Sequence, residues 1–151
     1  MDHPQVTLHG TCVAIGGKGV LILGPPGSGK SSLALRVLDE PGYGLSKSLM
    51  AAELVSDDQV VVTREGRNLV ASAPARIKGK LEIRGLAIVE LPTAPKAAVY
   101  LVVKLQPTAE IERLPEPASY DILGVGLPMV EIDAEAAAAP SRLRAALNWL
   151  G

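Results

Sequence analysis

Apolar residues in this chain fall mostly in short blocks punctuated by glycine and proline, a β-rich pattern with two helical exceptions. Val6–His9 and Thr11–Ile15 read as short strands around Gly10, and Gly16, Gly17 and Gly19 predict a tight turn before Val20-Leu21-Ile22-Leu23. That continuous apolar block marks a strand covered on both faces. From Lys30 to about Leu38, the spacing of Leu33, Ala34 and Val37 predicts a helix, ended by Pro41, Gly42 and Gly44. Leu45–Leu54 fits either a short amphipathic helix, through Leu49, Met50, Ala52 and Glu53, or a mobile insertion. Gln59–Thr63 and Asn68–Ala73 predict a hairpin around Arg64-Glu65-Gly66-Arg67. Leu81–Leu91 reads as a strand or strand pair interrupted at Gly85, Ala97–Leu105 as a strong strand, and Pro128–Ile132 as a late one. Leu114–Pro117 is a proline-rich break. Pro140–Leu150 predicts a closing helix, with Ala136–Ala139 as its frayed start and Gly151 as its stop.

With 151 residues the chain suits one domain, 1–151, of α/β class: a mixed sheet around the strand that ends at Leu23, with few helices. Phe is absent and aromatics make up 3%, so the core is built from Val, Ile, Leu and Ala. This is a poor platform for stacking bases. Lys plus Arg (15) nearly balances Asp plus Glu (16), which argues against nucleic-acid or membrane-surface partners. A single cysteine, Cys12, excludes an intramolecular disulfide framework and reads as a small buried apolar residue. No apolar run is long enough to cross a membrane as a helix and no leader is visible, so a soluble, cytoplasmic protein is expected. Trp149, with Leu143, Leu147 and Leu150, reads as core or a subunit contact, and Arg142 and Arg144 as a solvated helix face.

The strongest chemical signal is Gly24-Pro25-Pro26-Gly27-Ser28-Gly29-Lys30-Ser31, which matches G-x-x-x-x-G-K-[ST] between a strand and a helix. Glycines let backbone N–H groups turn inward around a polyphosphate, and the helix N-terminus adds positive potential. Lys30 suits the β- and γ-phosphates, and the Ser31 hydroxyl suits Mg²⁺. The guanine-reading motif [NT]-K-x-D is missing, because no lysine has aspartate two residues on, and the arginines form no lid cluster. Asp57-Asp58, before the run Gln59–Val62, offers one carboxylate for Mg²⁺ and another to accept a proton from an attacking hydroxyl. An exposed turn accommodates the same pair. Glu82 and Arg84 alternate with apolar neighbours and share one side of a strand, either as a site or as a solvated face.

Taken together, His9-Gly10, the phosphate loop, Asp57-Asp58 and Leu81-Glu82-Ile83-Arg84-Gly85-Leu86 resemble the C-terminal catalytic domain of HPr kinase/phosphorylase. Glu112-Arg113-Leu114 is a weaker match, and the likeness runs from about Val6 to Glu116. It resembles a short alphaproteobacterial-type form without the family's N-terminal regulatory domain. The resemblance implies a P-loop kinase fold with a mixed sheet, shared with PEP carboxykinase. It implies ATP and Mg²⁺, a seryl hydroxyl on an HPr-like phosphocarrier as acceptor, and a homo-oligomer, hexameric in the family. It gives Lys30 the nucleotide phosphates and Ser31, Asp57 and Glu82 the Mg²⁺. Asp58, with Asp57 beside it, becomes the base that activates the serine and the acid of the reverse reaction. His9 tunes the acidic pair, and Arg113 steadies charge on the transferred phosphoryl group. Gly44–Glu53 lengthens the stretch between Lys30 and Asp58 relative to the family, and Gly124–Pro140 has no clear counterpart of the phosphorolysis loop. Two other readings of the phosphate loop stay open: a small-molecule kinase, and a nucleotide-binding regulatory module without turnover.

Overall fold

The computed structural model describes residues 3–151. Its strands are β1 (Gln5–His9), β2 (Thr11–Ile15), β3 (Lys18–Leu23), β4 (Ala52–Ser56), β5 (Gln59–Glu65), β6 (Asn68–Ser72), β7 (Lys80–Ile83), β8 (Ala87–Glu90), β9 (Ala97–Leu105), β10 (Ala118–Ile122) and β11 (Val125–Ile132). The helices are α1 (Lys30–Asp39) and α2 (Ala139–Leu150), with short 3₁₀ turns at Ala75–Ile77 and Thr108–Glu110.

Among the described residues, nine strands form one mixed sheet, ordered β1-β5-β6-β9-β3-β2-β4, with β10 and β11 branching from β9. The parallel pair β3 and β9 lies at its centre. The other edge of β9 is shared: β6 pairs antiparallel at Ala97 and Ala98, and β11 pairs parallel at Val102–Leu105. The sheet therefore forks, and two layers of core follow. Val13, Ile15, Val20 and Ile22 meet Leu33, Ala34 and Val37 of α1 and Leu143 and Leu147 of α2. Their alternating neighbours Cys12, Ala14, Leu21 and Leu23 pack instead with Val60, Val62, Leu69 and Val102. A register shift opposite Tyr100 changes the phase of β9, so Ala97 and Val99 serve one core and Leu101 and Val103 the other. Each buried Val or Leu is worth about 1.5–3 kcal/mol, so aliphatic layers hold the fold without Phe.

The bend that matters for function lies between two long antiparallel strands. β1 and β2 are halves of one strand bent at Gly10, and β4 and β5 are halves of another, bent at Asp57-Asp58. The halves pair β1 with β5 and β2 with β4, so the two bends sit side by side. The Gly10 N–H donates to the Asp58 carbonyl at 3.1 Å. A Cβ at Gly10 would come within 2.9 Å of the Ile22 carbonyl and of Leu23, so only glycine fits. Asp58 takes the left-handed conformation (φ 72°), which Asp tolerates better than most side chains.

Three expectations change. Leu45–Leu54 holds no helix: irregular chain leads to Met50, which bridges to Gly42, and β4 begins at Ala52. Gly44 and Leu45 are left-handed (φ 57° and 65°), which no α-helix permits, and Asn148 Nδ2 donates to the Tyr43 and Gly44 carbonyls, fastening this stretch onto α2. The late strand starts at Val125 and pairs with β10, which its polar sequence Ala-Ser-Tyr-Asp-Ile conceals. On α2, Arg144 is not on a solvated face: it is buried and donates to the Val37 carbonyl at 2.7 Å, closing the C-terminal end of α1. Burial lowers its guanidinium pKa, and Glu40 partly opposes this. Leu143 and Leu147 are core as expected, whereas Trp149 is 87% exposed.

Candidate active site

The phosphate loop leaves β3 at the sheet edge where β9 also ends, with Leu23 beside Lys104. Gly27 and Gly29 are left-handed (φ 76° and 98°), turning the backbone into a concave loop. Gly29 is the N-cap of α1 and makes no side-chain cap bond, and the first turn carries no acidic residue. The orphan N–H groups of that turn thus face the loop without an internal competitor, the arrangement an anion needs. Lys30 Nζ donates to the Gly24 and Pro25 carbonyls at 2.9 and 3.0 Å, so its ammonium lies folded along the loop.

The acidic bend meets this loop from the side, and its two carboxylates have different surroundings. Asp57 is 5% exposed. Its Oδ1 accepts from Ser31 Oγ at 2.7 Å and from Thr11 Oγ1 at 2.8 Å, and its Oδ2 accepts from the Glu82 N–H at 3.2 Å. Asp58 is exposed and lines the cleft above the phosphate loop. The carboxylate pair is therefore divided by the bend: one member holds the P-loop serine, and the other is free to meet a reactant.

The cleft has a volume of about 660 Å³, within the usual range for a small-molecule site. Pro26 to Ser32 form its floor, Asp58 one wall, and Glu82 and Arg84 of the β7–β8 hairpin another. Leu81 is fully buried in the core under the helices, which fixes the hairpin and sends the alternate residues Glu82 and Arg84 to the cleft. The last wall, Ala134 and Glu135, was not legible in the sequence. Arg36 Nη1 donates to the Ala134 carbonyl at 2.7 Å, and Arg36 Nη2 to those of Ala136 and Ala137 at 3.1 and 3.2 Å. Ala134 Cβ lies 3.0 Å from where a Cβ on Gly29 would stand, so this wall presses directly on the loop. Thr11 was missed too; a hydroxyl inside a strand buried at every position was the available signal, since such a group needs a partner.

Among the residues singled out in the sequence, Gly27 to Ser31, Asp58, Glu82 and Arg84 share the cleft, and Asp57 is tied to it through Ser31. Gly24 and Pro25 support Lys30 from beneath, and Pro26 lines the cleft. Two residues stand apart. His9 lies in β1 opposite Gln59, next to the acidic bend in the backbone, but its side chain is exposed and hydrogen-bonds to neither aspartate. The alternation of β1 explains this: Val6 and Leu8 pack inward, so His9 projects outward. Arg113 sits on an exposed loop between the turn at Thr108–Glu110 and Pro115, and lines no part of the cleft.

Among the described residues, no cluster of three His, Cys, Asp or Glu side chains could hold an ion unaided. The set available near the loop is all oxygen: the Ser31 hydroxyl, its partner carboxylate Asp57, and Glu82 on the facing hairpin. That is the hard-donor chemistry of Mg²⁺, which is commonly held by one or two carboxylates together with substrate phosphates.

Comparison with known proteins follows the same lines. Residues 3–146 match the family model for the HPr Serine kinase C-terminal domain. The chain is 36% identical to the HPr kinase/phosphorylase of Cupriavidus necator and 35% identical to that of Ralstonia pickettii, in each case over 90% of this chain and 42% of the relative. It thus spans less than half the length of these curated relatives. The solved structure of the Hpr(Ser) kinase/phosphatase from Coxiella burnetii superposes with a TM-score of 0.77 at 24% identity, covering 95% of this chain and 94% of that one. The mixed sheet and its helices are therefore those of a P-loop kinase fold, and this chain belongs to the HPr serine kinase C-terminal domain family.

Proposed function

We propose that the chain is the phosphotransferase domain of an ATP-dependent protein serine kinase acting on an HPr-like phosphocarrier. The observation that carries this reading is the exposed Asp58 in the same cleft as the phosphate loop, while Asp57 is occupied with Ser31. The triphosphate lies along Gly24–Ser31. Lys30 leaves its two loop carbonyls for the β- and γ-phosphates, and the first-turn N–H groups of α1 bind the anion. Ser31, Asp57 and Glu82 would hold Mg²⁺, which when bound neutralises charge on the phosphates. The seryl Oγ of the acceptor attacks the γ-phosphorus, Asp58 takes its proton, and the bond to the β-bridging oxygen breaks to release ADP. In the reverse direction an oxygen of inorganic phosphate attacks the phosphorus of the phosphoserine, the P–Oγ bond breaks as the same carboxyl returns its proton to the serine, and pyrophosphate is released.

A protein acceptor is favoured over a metabolite by the rim of the cleft. Leu86 and Ile88, at the tip of the β7–β8 hairpin, are 71% and 66% exposed beside Glu82 and Arg84. An open mouth with apolar side chains suits a macromolecular surface. Oligomerisation, hexameric by family resemblance, belongs to the same reading and is supported by the exposed Trp149 and Leu150 ending α2. No helix among the described residues is long and apolar enough to cross a membrane. A cytoplasmic location belongs to the proposal, since a kinase of this kind draws on ATP.

The test is transfer of label from γ-labelled ATP, with Mg²⁺, to purified HPr, read as phosphoserine by mass spectrometry. Labelled phosphoserine on HPr is the expected result. A chain that binds ATP but labels neither HPr nor a panel of small hydroxyl metabolites would leave only the nucleotide-binding reading.

A further inference from the structure

We propose that Thr11 is a positioning residue for phosphoryl transfer: through Asp57 it sets the orientation in which Ser31 meets the cation of the bound nucleotide. This inference rests on the kinase reading above. Thr11 lies in β2, fully buried, and its Oγ1 donates to Asp57 Oδ1 at 2.8 Å. Ser31 Oγ donates to the same oxygen at 2.7 Å. A carboxylate oxygen offers about two lone-pair directions, so these two hydroxyls saturate Oδ1. Oδ2 is fixed by the Glu82 N–H at 3.2 Å. The carboxylate is therefore held from β2, α1 and β7 at once, and its rotation is blocked.

The consequence falls on Ser31. A serine hydroxyl has one proton, and here that proton is committed to Asp57. The lone pairs of Ser31 Oγ are left for a cation. Without the Thr11 hydroxyl, Oδ1 would keep an unpaired lone pair facing a fully buried position of β2. Such a carboxylate turns to recover a partner, and Ser31 loses its fixed acceptor. Groups that orient a metal ligand in this way are typically worth about 10- to 100-fold in metal affinity.

The test is the Mg²⁺ dependence of nucleotide binding, read with a fluorescent ATP analogue on wild type, Thr11→Val and Thr11→Ser. Valine keeps the shape of threonine and removes the hydroxyl, whereas serine restores it. Thr11→Val is expected to raise the Mg²⁺ concentration for half-maximal binding about tenfold. Metal-free affinity should be unchanged, and Thr11→Ser should behave as wild type within about twofold. Wild-type metal dependence in Thr11→Val overturns the assignment, as does an equal loss with and without Mg²⁺. Should Thr11→Val fail to fold, Thr11→Ser and Thr11→Ala carry the comparison, and equal Mg²⁺ dependence in those two overturns it. A wild-type protein that binds no nucleotide overturns the kinase reading itself, and the role of Thr11 with it.

Discussion

Two of the segments singled out in the sequence, the bend at Asp57-Asp58 and the loop carrying Arg113, are built differently. The bend at Asp57-Asp58 is embedded: its backbone is bonded to Gly10, one carboxylate is buried under three hydrogen bonds, and core strands flank it on both sides. The loop carrying Arg113 is exposed from Glu112 to Ser119 and lines no part of the cleft. Preorganised groups cost nothing to arrange at the moment of reaction, whereas an exposed loop outside the cleft takes no part in holding the nucleotide site. The bend should therefore affect stability through Asp57 and turnover through Asp58, and the loop turnover alone.

Substitutions can break or sharpen that contrast. Among substitutions that act on binding and turnover together, the largest effect is expected for Lys30→Ala, which removes the ammonium that now rests on the Gly24 and Pro25 carbonyls. Turnover should drop by about 10²–10³, with nucleotide affinity falling as well, measured by steady-state kinetics and titration. Next is Asp57→Ala, which strands the buried Thr11 hydroxyl and the Glu82 N–H. A loss of about 1–3 kcal/mol is expected in denaturant unfolding. Asp58→Gly should move the other way, gaining about 1 kcal/mol by relieving the left-handed φ of 72° while transfer is lost. Arg113→Ala should leave stability within about 0.5 kcal/mol and nucleotide affinity unchanged, lowering kcat only. If Arg113→Ala weakened nucleotide binding, the division between the two regions would be wrong.

The smallest effect concerns pH. The Thr108 hydroxyl, first, and the Glu135 N–H hold the exposed Asp133 carboxyl below its usual pKa, at the base of the wall formed by Ala134 and Glu135. A carboxyl depressed in the folded state contributes stability above the ordinary aspartate pKa of about 3.9 and loses it as pH falls through the lower folded value. The thermal midpoint of wild type should therefore fall more steeply below about pH 4 than that of Asp133→Asn, by a small margin. Cys12 gives a control in the opposite direction. Burial pushes its thiol up to about 12, so a thiol reagent at mild alkaline pH should label it only after unfolding.

Local pattern made much of this fold legible. The phosphate loop, its strand and its helix are contiguous, so Leu23, Lys30 and Val37 announce them by spacing. The β7–β8 hairpin, with Glu82 and Arg84 alternating against Leu81, was equally local. What stayed hidden depends on distant partners. Thr11 acquires its role from a carboxylate 46 positions away, and Arg36 from carbonyls about a hundred positions away. The spacing in Leu45–Leu54 fits a short helix, yet the left-handed Leu45 and the bonds from Asn148 on α2 to Tyr43 and Gly44 hold its start in an irregular path. The family resemblance assigns His9 to the acidic pair, but the alternation of its own strand turns it outward.

The most direct measurement compares Asp58→Asn with wild type in two readouts on one sample, nucleotide affinity and phosphoryl transfer to HPr. A bend that supplies the proton acceptor requires affinity to stay within about twofold while transfer falls by about 10²–10⁴. Transfer by Asp58→Asn at the wild-type rate would contradict it, because the one exposed carboxylate of the bend would then have no part in moving the proton.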